Sequence, residues 1–250
     1  MNIQPQILER DLAAIRDQLG KSPILLHTDL LQMGLIADPL DRFSFCAAYE
    51  RVLEKVLGTQ TYLIPTFNYE YCRSGLYDVR SSPSEVGALT DYYRQQYPEC
   101  RTHTPVFHFC IRHNQAFRLN THQSCFDAAS TFGELAEAEG AVLFLGAPLS
   151  ANTFVHHAEE LCDVPYRFHK LFPGQVLWNN TSTPTQLTYR VRPLTDSRPY
   201  AWGRIEGELL AQGLLQEAPI GKGRALFFRA HELRHYWMRQ LSKDPHALLL

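Results

Sequence analysis

The segment Thr153 to Glu159, TFVHHAE, sets a histidine and a carboxylate three residues apart, at His156 and Glu159. On a helix that spacing puts both side chains on one face, where the carboxylate can orient the imidazole or stabilise its protonated form. A neutral histidine held in this way suits general-base chemistry near neutral pH. Histidines that only pack or face solvent show the same spacing, so at this level both readings stand. A zinc site is the next chemistry to weigh, because His156, His157, Glu159 and Glu160 cluster and His103, His108 and His113 recur upstream. The helical pair HExxH is absent, however, and adjacent His156 and His157 project about 100° apart on a helix, so one ion does not take both. No metal is expected. No GxSxG elbow marks a serine nucleophile, no cysteine has a base motif beside it, and neither GxGxxG nor a P-loop occurs. GKGR at 221–224 reads as a charged turn.

Composition narrows the class. The 250 residues are 45% hydrophobic and 20% charged, enough for a sizeable core. Lys and Arg number 24 against 26 Asp and Glu, a formal charge of -2 that lacks the basic excess of phosphate-backbone binders, so nucleic acid is not an expected partner. No run reaches the roughly 20 apolar residues of a membrane span, and the polar start MNIQPQILERD is unlike a signal peptide. No membrane association and a cytoplasmic location are expected. Six cysteines without a CxxC pair are too sparse for a disulfide framework and are expected to be reduced. Oligomeric state is not legible.

The elements that must position these residues follow from periodicity. Apolar spacing near 3.6 predicts a helix over 5–20 closed by Gly20, then a strand at 23–27, a helix over 43–57 closed by Gly58 and a strand at 61–65. Strand, helix, strand order points to an α/β fold with a parallel sheet. Residues 66–83 have neither period and read as a long loop, a class often functional. Ser84 is the expected N-cap of a helix running to about Gln96, VFHFCIRH at 106–113 a strand, 130–138 a short helix and GAVLFLGAP at 140–148 the clearest buried strand. A helix over 153–162, with Asn152 as N-cap, then starts at the carboxyl end of a central strand, where open α/β sheets place ligands. Strands near 166–172, 186–191 and 224–228 and helices near 199–212 and 230–241 complete one domain over 1–250, its part from about 176 a candidate subdomain.

Several segments, in order, resemble the aminoglycoside 3-N-acetyltransferase (antibiotic N-acetyltransferase) family, whose fold differs from the GNAT acetyltransferases. They are LLHTDLLQMG at 25–34, LIPTFNY at 63–69, YDVRSSPSEVGALTDYYR at 77–94, RTHTP at 101–105, SCFDAASTFGEL at 124–135, VLFLGAP at 142–148 and TFVHHAEELCDVPYR at 153–167. The resemblance implies a three-layer α/β/α fold with a mostly parallel central sheet, acetyl-CoA as acyl donor, and an amine on an amino sugar, aminoglycoside or nucleotide-linked sugar as acceptor. The family's TxxHxxE motif falls on Thr153, His156 and Glu159, making His156 the base that deprotonates the amine and Glu159 the group that holds it. Attack is then direct, without an acyl-enzyme.

Further sites are implied by the same resemblance. His27, Thr28 and Asp29 align with a hydroxyl-rich His-Ser-Ser-Leu-like turn near the coenzyme, with Asp29 where the family has its second serine. Arg101 and Thr102 match an Arg-Ser-x-His-Pro coenzyme A region in which Thr104 and His108 depart from the pattern. Asn68, Tyr69, Glu70 and Tyr71 in the long loop are expected to form the acceptor pocket, Glu70 facing an ammonium and the rings a sugar face. The alternatives are another acyl-CoA or a non-sugar amine on the same scaffold, or a silent coenzyme-A-binding homologue.

Overall fold

The computed structural model describes residues 2–119 and 123–250. Helix α1 (Pro5–Leu19) leads through Gly20 into β1 (Ile24–Thr28), the single turn α2 (Leu30–Met33), α3 (Arg42–Leu57) and β2 (Tyr62–Pro65). Next come α4 (Tyr71–Ser74), β3 (Leu76–Asp78), α5 (Ala88–Gln96), β4 (Phe109–Arg112), α6 (Thr131–Glu137) and β5 (Ala141–Leu145). Helix α7 (Val155–Leu161), β6 (Phe168–Trp178), β7 (Thr181–Val191), α8 (Trp202–Ala211), β8 (Gln216–Ile220), β9 (Gly223–Arg229) and α9 (Ala230–Lys243) follow. No helix among the described residues is long and apolar enough to cross a membrane.

The α/β class holds, but the main sheet is mixed rather than mostly parallel. Its order is β4-β2-β1-β5-β9-β8, and only β2, β1 and β5 run parallel, Ile24 pairing with Tyr62 on one side and Ala141 on the other. Strands β4, β9 and β8 pair antiparallel because the chain re-enters the sheet from its opposite end. Alternation along the central strands separates two apolar clusters. Ile24, Leu26, Leu143 and Leu145 face the side of α1, α3 and α5, whereas Leu25, Val142, Phe144 and Phe228 face the side of α6, α7 and α9. Near-continuous apolar runs follow from having both faces covered.

Several local expectations shift. The loop 66–83 contains α4 and β3, and β3 joins β6 and β7 in a second, three-stranded sheet. Strands β6 and β7 form one long hairpin closed by Asn179 and Asn180, whose φ of 48° and 64° suit the two-residue turn that matches strand twist. The edge strand β8 tolerates Pro219 because an edge leaves some N–H groups unpaired. Helix α5 begins after Gly87 rather than at Ser84, whose hydroxyl instead lies 2.7 Å from that of Thr90. Helix α7 starts at Val155, and Asn152 prepares it by accepting the Phe154 N–H at 3.1 Å. Strand β4 is shorter than expected because Val106 sits at φ 68° in a tight turn where the Phe107 N–H returns to the Pro105 carbonyl. The six cysteines are free thiols.

The carboxyl ends of β1 and β5 are clasped together. The Asp29 N–H donates to the Leu145 carbonyl at 2.9 Å, and a Cβ on Gly146, at φ 70°, would come within 2.5 Å of the Asp29 carbonyl oxygen. Only glycine satisfies both demands. The Asp29 carboxylate turns back to accept the N–H groups of Leu31 and Gln32 at 3.2 and 3.4 Å, so it caps α2. Replacing Asp29 with Ala is therefore expected to cost about 1 kcal/mol in urea unfolding, with Asp29→Asn recovering most of it.

Candidate active site

Past the clasp at Gly146 a short turn over Leu149–Ala151 returns the chain to α7, which stands at the carboxyl edge of β5 and packs against α9. Val155 and Ala158 of α7 lie in the core. That burial fixes the helix rotation and sends His156 and Glu159 to one side.

Glu159 is 0% exposed. Its Oε1 accepts the hydroxyls of Tyr166 at 2.8 Å and Tyr200 at 2.6 Å, while Oε2 lies 2.7 Å from His156 Nδ1 and 2.9 Å from Arg167 Nε. Burial alone would push this carboxyl up. The His156 hydrogen bond and charge, Arg167 and Tyr200 outweigh it and bring the group down to about 2. Arg167 in turn donates from Nη2 to the Tyr200 hydroxyl at 2.8 Å, closing the network.

His156 gives its Nδ1–H to this carboxylate, which leaves Nε2 with the lone pair. Burial lowers its affinity for a proton most strongly, the Glu159 bond and charge raise it, and Arg167 and Arg192 lower it again; the net position is below the ordinary histidine value of 6.5. The imidazole is neutral at neutral pH and its side chain keeps 24% exposure. A neutral, oriented, reachable imidazole can take a proton. The Phe126 ring meets it edge-on with centroids 5.2 Å apart, and Arg192 lies over the Tyr200 ring at 4.8 Å.

A cavity of about 240 Å³ opens at the ends of β1 and β2, lined among others by His27, Thr28, Phe67, Tyr69 and Thr153. Thr153 carries the carbonyl that accepts the His156 N–H at 3.2 Å. His27 stacks on Phe144 of the neighbouring strand at 4.9 Å, and its buried Nε2 has no hydrogen-bond partner among the described residues. Desolvation lowers its pKa to about 4. His27, Thr28 and Tyr69 thus line one cavity, with Tyr69 41% exposed.

Other expected site residues are placed elsewhere. Arg101 and Thr102 are fully buried and present no surface to a coenzyme. The Arg101 guanidinium donates to the Val79 and Thr66 carbonyls at 2.5 and 3.4 Å and lies 3.1 Å from His108 Nδ1, tying together the two ends of the long loop. Thr102 Oγ1 accepts the Phe109 N–H at 3.0 Å. Asn68 donates to the Pro83 carbonyl at 3.0 Å, the buried Tyr71 to that of Phe172 at 3.2 Å, and exposed Glu70 pairs with Arg73. Tyr166, Arg167, Tyr200 and Phe126 carry no local pattern that assigns them to the site. Tyr166 and Arg167 fall inside the segment ending VPYR at 164–167, which is the one signal that pointed toward them.

The family model described as aminoglycoside 3-N-acetyltransferase matches residues 47–242, α3 through α9. The chain belongs to that family. The match begins after β1, so His27, Thr28 and Asp29 lie outside it. Aminoglycoside N(3)-acetyltransferase III of Pseudomonas aeruginosa is 28% identical over 118 residues, which is 47% of this chain and only 43% of that enzyme. The fold of the family extends over nearly the whole chain. An AAC-IIIb structure, binary with CoASH, superposes with a TM-score of 0.74 at 21% identity over 97% of each chain. AAC-VIa bound to sisomicin gives 0.75 at 16% identity, over 97% of this chain and 98% of that one.

Glu159 predicts an acid-labile fold. A carboxyl depressed in the native state stabilises it above the unfolded value of about 4.5 and loses that contribution as pH falls toward about 2. Urea unfolding between pH 5 and pH 2 is expected to show this loss. Glu159→Gln, which leaves Arg167 buried without its partner, is expected to cost about 3 kcal/mol at pH 7 and to flatten that dependence.

Proposed function

We propose that the protein transfers an acetyl group from acetyl-CoA to a primary amine of an amino sugar, with His156 as general base and Glu159 as the residue that orients it. The observation that carries this reading is the 2.7 Å bond from His156 Nδ1 to a carboxylate with no exposure, which commits the imidazole to one tautomer and leaves Nε2 for the substrate. An amine meets the enzyme mainly as an ammonium ion and has no lone pair until a proton is removed. His156 Nε2 takes that proton. The amine nitrogen then bonds to the thioester carbon, the carbon–sulfur bond breaks, the nitrogen gives its second proton to the departing thiolate of coenzyme A, and the proton held by His156 passes to solvent.

Family membership supports the acyl-transfer class, and the relatives named above support the partners, one being bound to CoASH and another to sisomicin. The cavity beside Thr153 suits the acyl end of the donor, its lining joining apolar Leu26, Phe67, Val86 and Ala147 to the His27 Nε2, which has no partner among the described residues, and to Thr28, Thr90 and Thr153. Tyr69 is the loop residue best placed to meet the acceptor, since it lines the same cavity. No described residue singles out a nucleotide-linked sugar.

His156→Ala is expected to lower kcat by about 10² to 10⁴, while the thermal midpoint stays within a few degrees of the parent. Because the base must be neutral, kcat should fall on acidification with a midpoint below 6.5, following the lowered proton affinity of His156. A variant within threefold of the parent rate would remove His156 from the reaction.

A further inference from the structure

His157 is the neighbour that the base pair leaves unexplained. It is fully buried, and α7 turns it into the core about a hundred degrees away from His156. Its Nδ1 donates to the backbone carbonyl of Phe126 at 2.7 Å, whereas Nε2 has no partner among the described residues. Desolvation lowers its pKa to about 4, so the ring is a neutral donor throughout the working range. The Phe154 ring packs 5.4 Å away.

Phe126 is the side chain that meets His156. Its ring centroid lies 5.2 Å from that of His156, with the planes at 71°. Behind it stand Phe107 at 4.6 Å and Phe132 at 5.3 Å. Phe107 is aimed there by the tight turn at Val106, a β-branched residue at φ 68° that is rarely found in this conformation. Phe126 lies in an irregular segment that is bridged to β7 through Ser124 and Thr188, and its own backbone is bonded at the N–H to the Ser124 hydroxyl at 3.3 Å and at the carbonyl to His157.

We propose that His157 is a positioning residue, fixing Phe126 through its carbonyl so that the phenyl ring covers one edge of His156 and keeps water off the base. One helix then presents the base, the carboxylate that orients it and the anchor of the ring that shields it. The inference rests on His156 being the base, but the contact itself can be read without turnover.

The charged and titratable groups around His156 are Glu159 on its own helix, Arg167 beyond α7, Arg192 beyond β7 and Tyr200 before α8. None of them bonds to His157, which has Arg234 of α9, Asp127 and Glu137 of α6 in its own surroundings. A change at His157 therefore reaches His156 through Phe126 rather than through a shared charge.

The test is an NMR titration of the His156 imidazole in the whole protein and in three variants, with thermal unfolding to establish that each is folded. His157→Leu removes the donor at similar volume, Phe126→Leu removes the ring, and His157→Asn keeps an amide nitrogen near the position of Nδ1. In His157→Leu and Phe126→Leu the His156 midpoint should rise by about 0.5 pH unit or more toward the ordinary value as water reaches the ring. His157→Asn should stay near the parent. If His157→Leu does not fold, His157→Gln, whose amide nitrogen reaches the Nε2 rather than the Nδ1 position and so loses the bond to Phe126, takes its place: His157→Gln and Phe126→Leu shifted with His157→Asn unshifted supports the assignment, and an unshifted His157→Gln overturns it. An unchanged midpoint in folded His157→Leu or in Phe126→Leu, or a His157→Asn shifted as far as these, overturns it. Turnover with His156 intact but no amine acceptor would count against the acetyl-transfer reading alone.

Discussion

A carboxylate removed from water must find compensating charge and donors within the protein, and Glu159 recruits them from three parts of the chain. His156 comes from one turn earlier on the same helix, Tyr166 and Arg167 from the chain that leaves it, and Tyr200 from beyond the long hairpin. Burial opposes ionisation, and His156, Arg167 and Tyr200 together outweigh it. The negative charge of Glu159 fixes the tautomer of His156, while the same dry surroundings and the nearby Arg167 and Arg192 keep the imidazole from being protonated.

The sheet supplies the rigidity this requires. Three parallel strands, apolar on both faces, end side by side, and the hydrogen bond from the Asp29 N–H to the Leu145 carbonyl, with Gly146 packed against Asp29, holds two of those ends together. Helix α7 starts nine residues after Gly146, beyond the turn over Leu149–Ala151, and carries His156 and Glu159. The cavity with His27, Thr28 and Thr153 sits at the same edge. The cavity and the His156–Glu159 pair thus stand beside the most deeply packed strands, whereas Tyr69 reaches the cavity from the long loop, which Arg101 ties down from inside.

What was legible in the sequence divides along the same line. The central strands were readable because burial on both faces leaves an unbroken apolar run, and the His156–Glu159 pair because helical spacing is a local property. Tyr200 was not readable: it reaches Glu159 across 41 residues of chain, and nothing near position 200 encodes that approach. The β6–β7 hairpin was seen only as its two outer ends, since Pro173, Gly174 and Pro184 interrupt the strand pattern along its length. Arg101, Thr102 and Asp29 illustrate a different limit. A motif match identifies residue types in order, but a buried guanidinium spanning two carbonyls and a helix-capping carboxylate are recognised only from their partners.

The central claim is direct acetyl transfer to an amine by a protein that never carries the acetyl group. Acetyl-CoA should be incubated with the protein and a panel of amino sugars and aminoglycosides, with released coenzyme A measured and the masses of acceptor and protein recorded in the same samples. The account predicts coenzyme A release only when an amine is present, an acceptor heavier by one acetyl group, and a protein of unchanged mass. An acetylated protein, or coenzyme A release that does not depend on any amine, would contradict it.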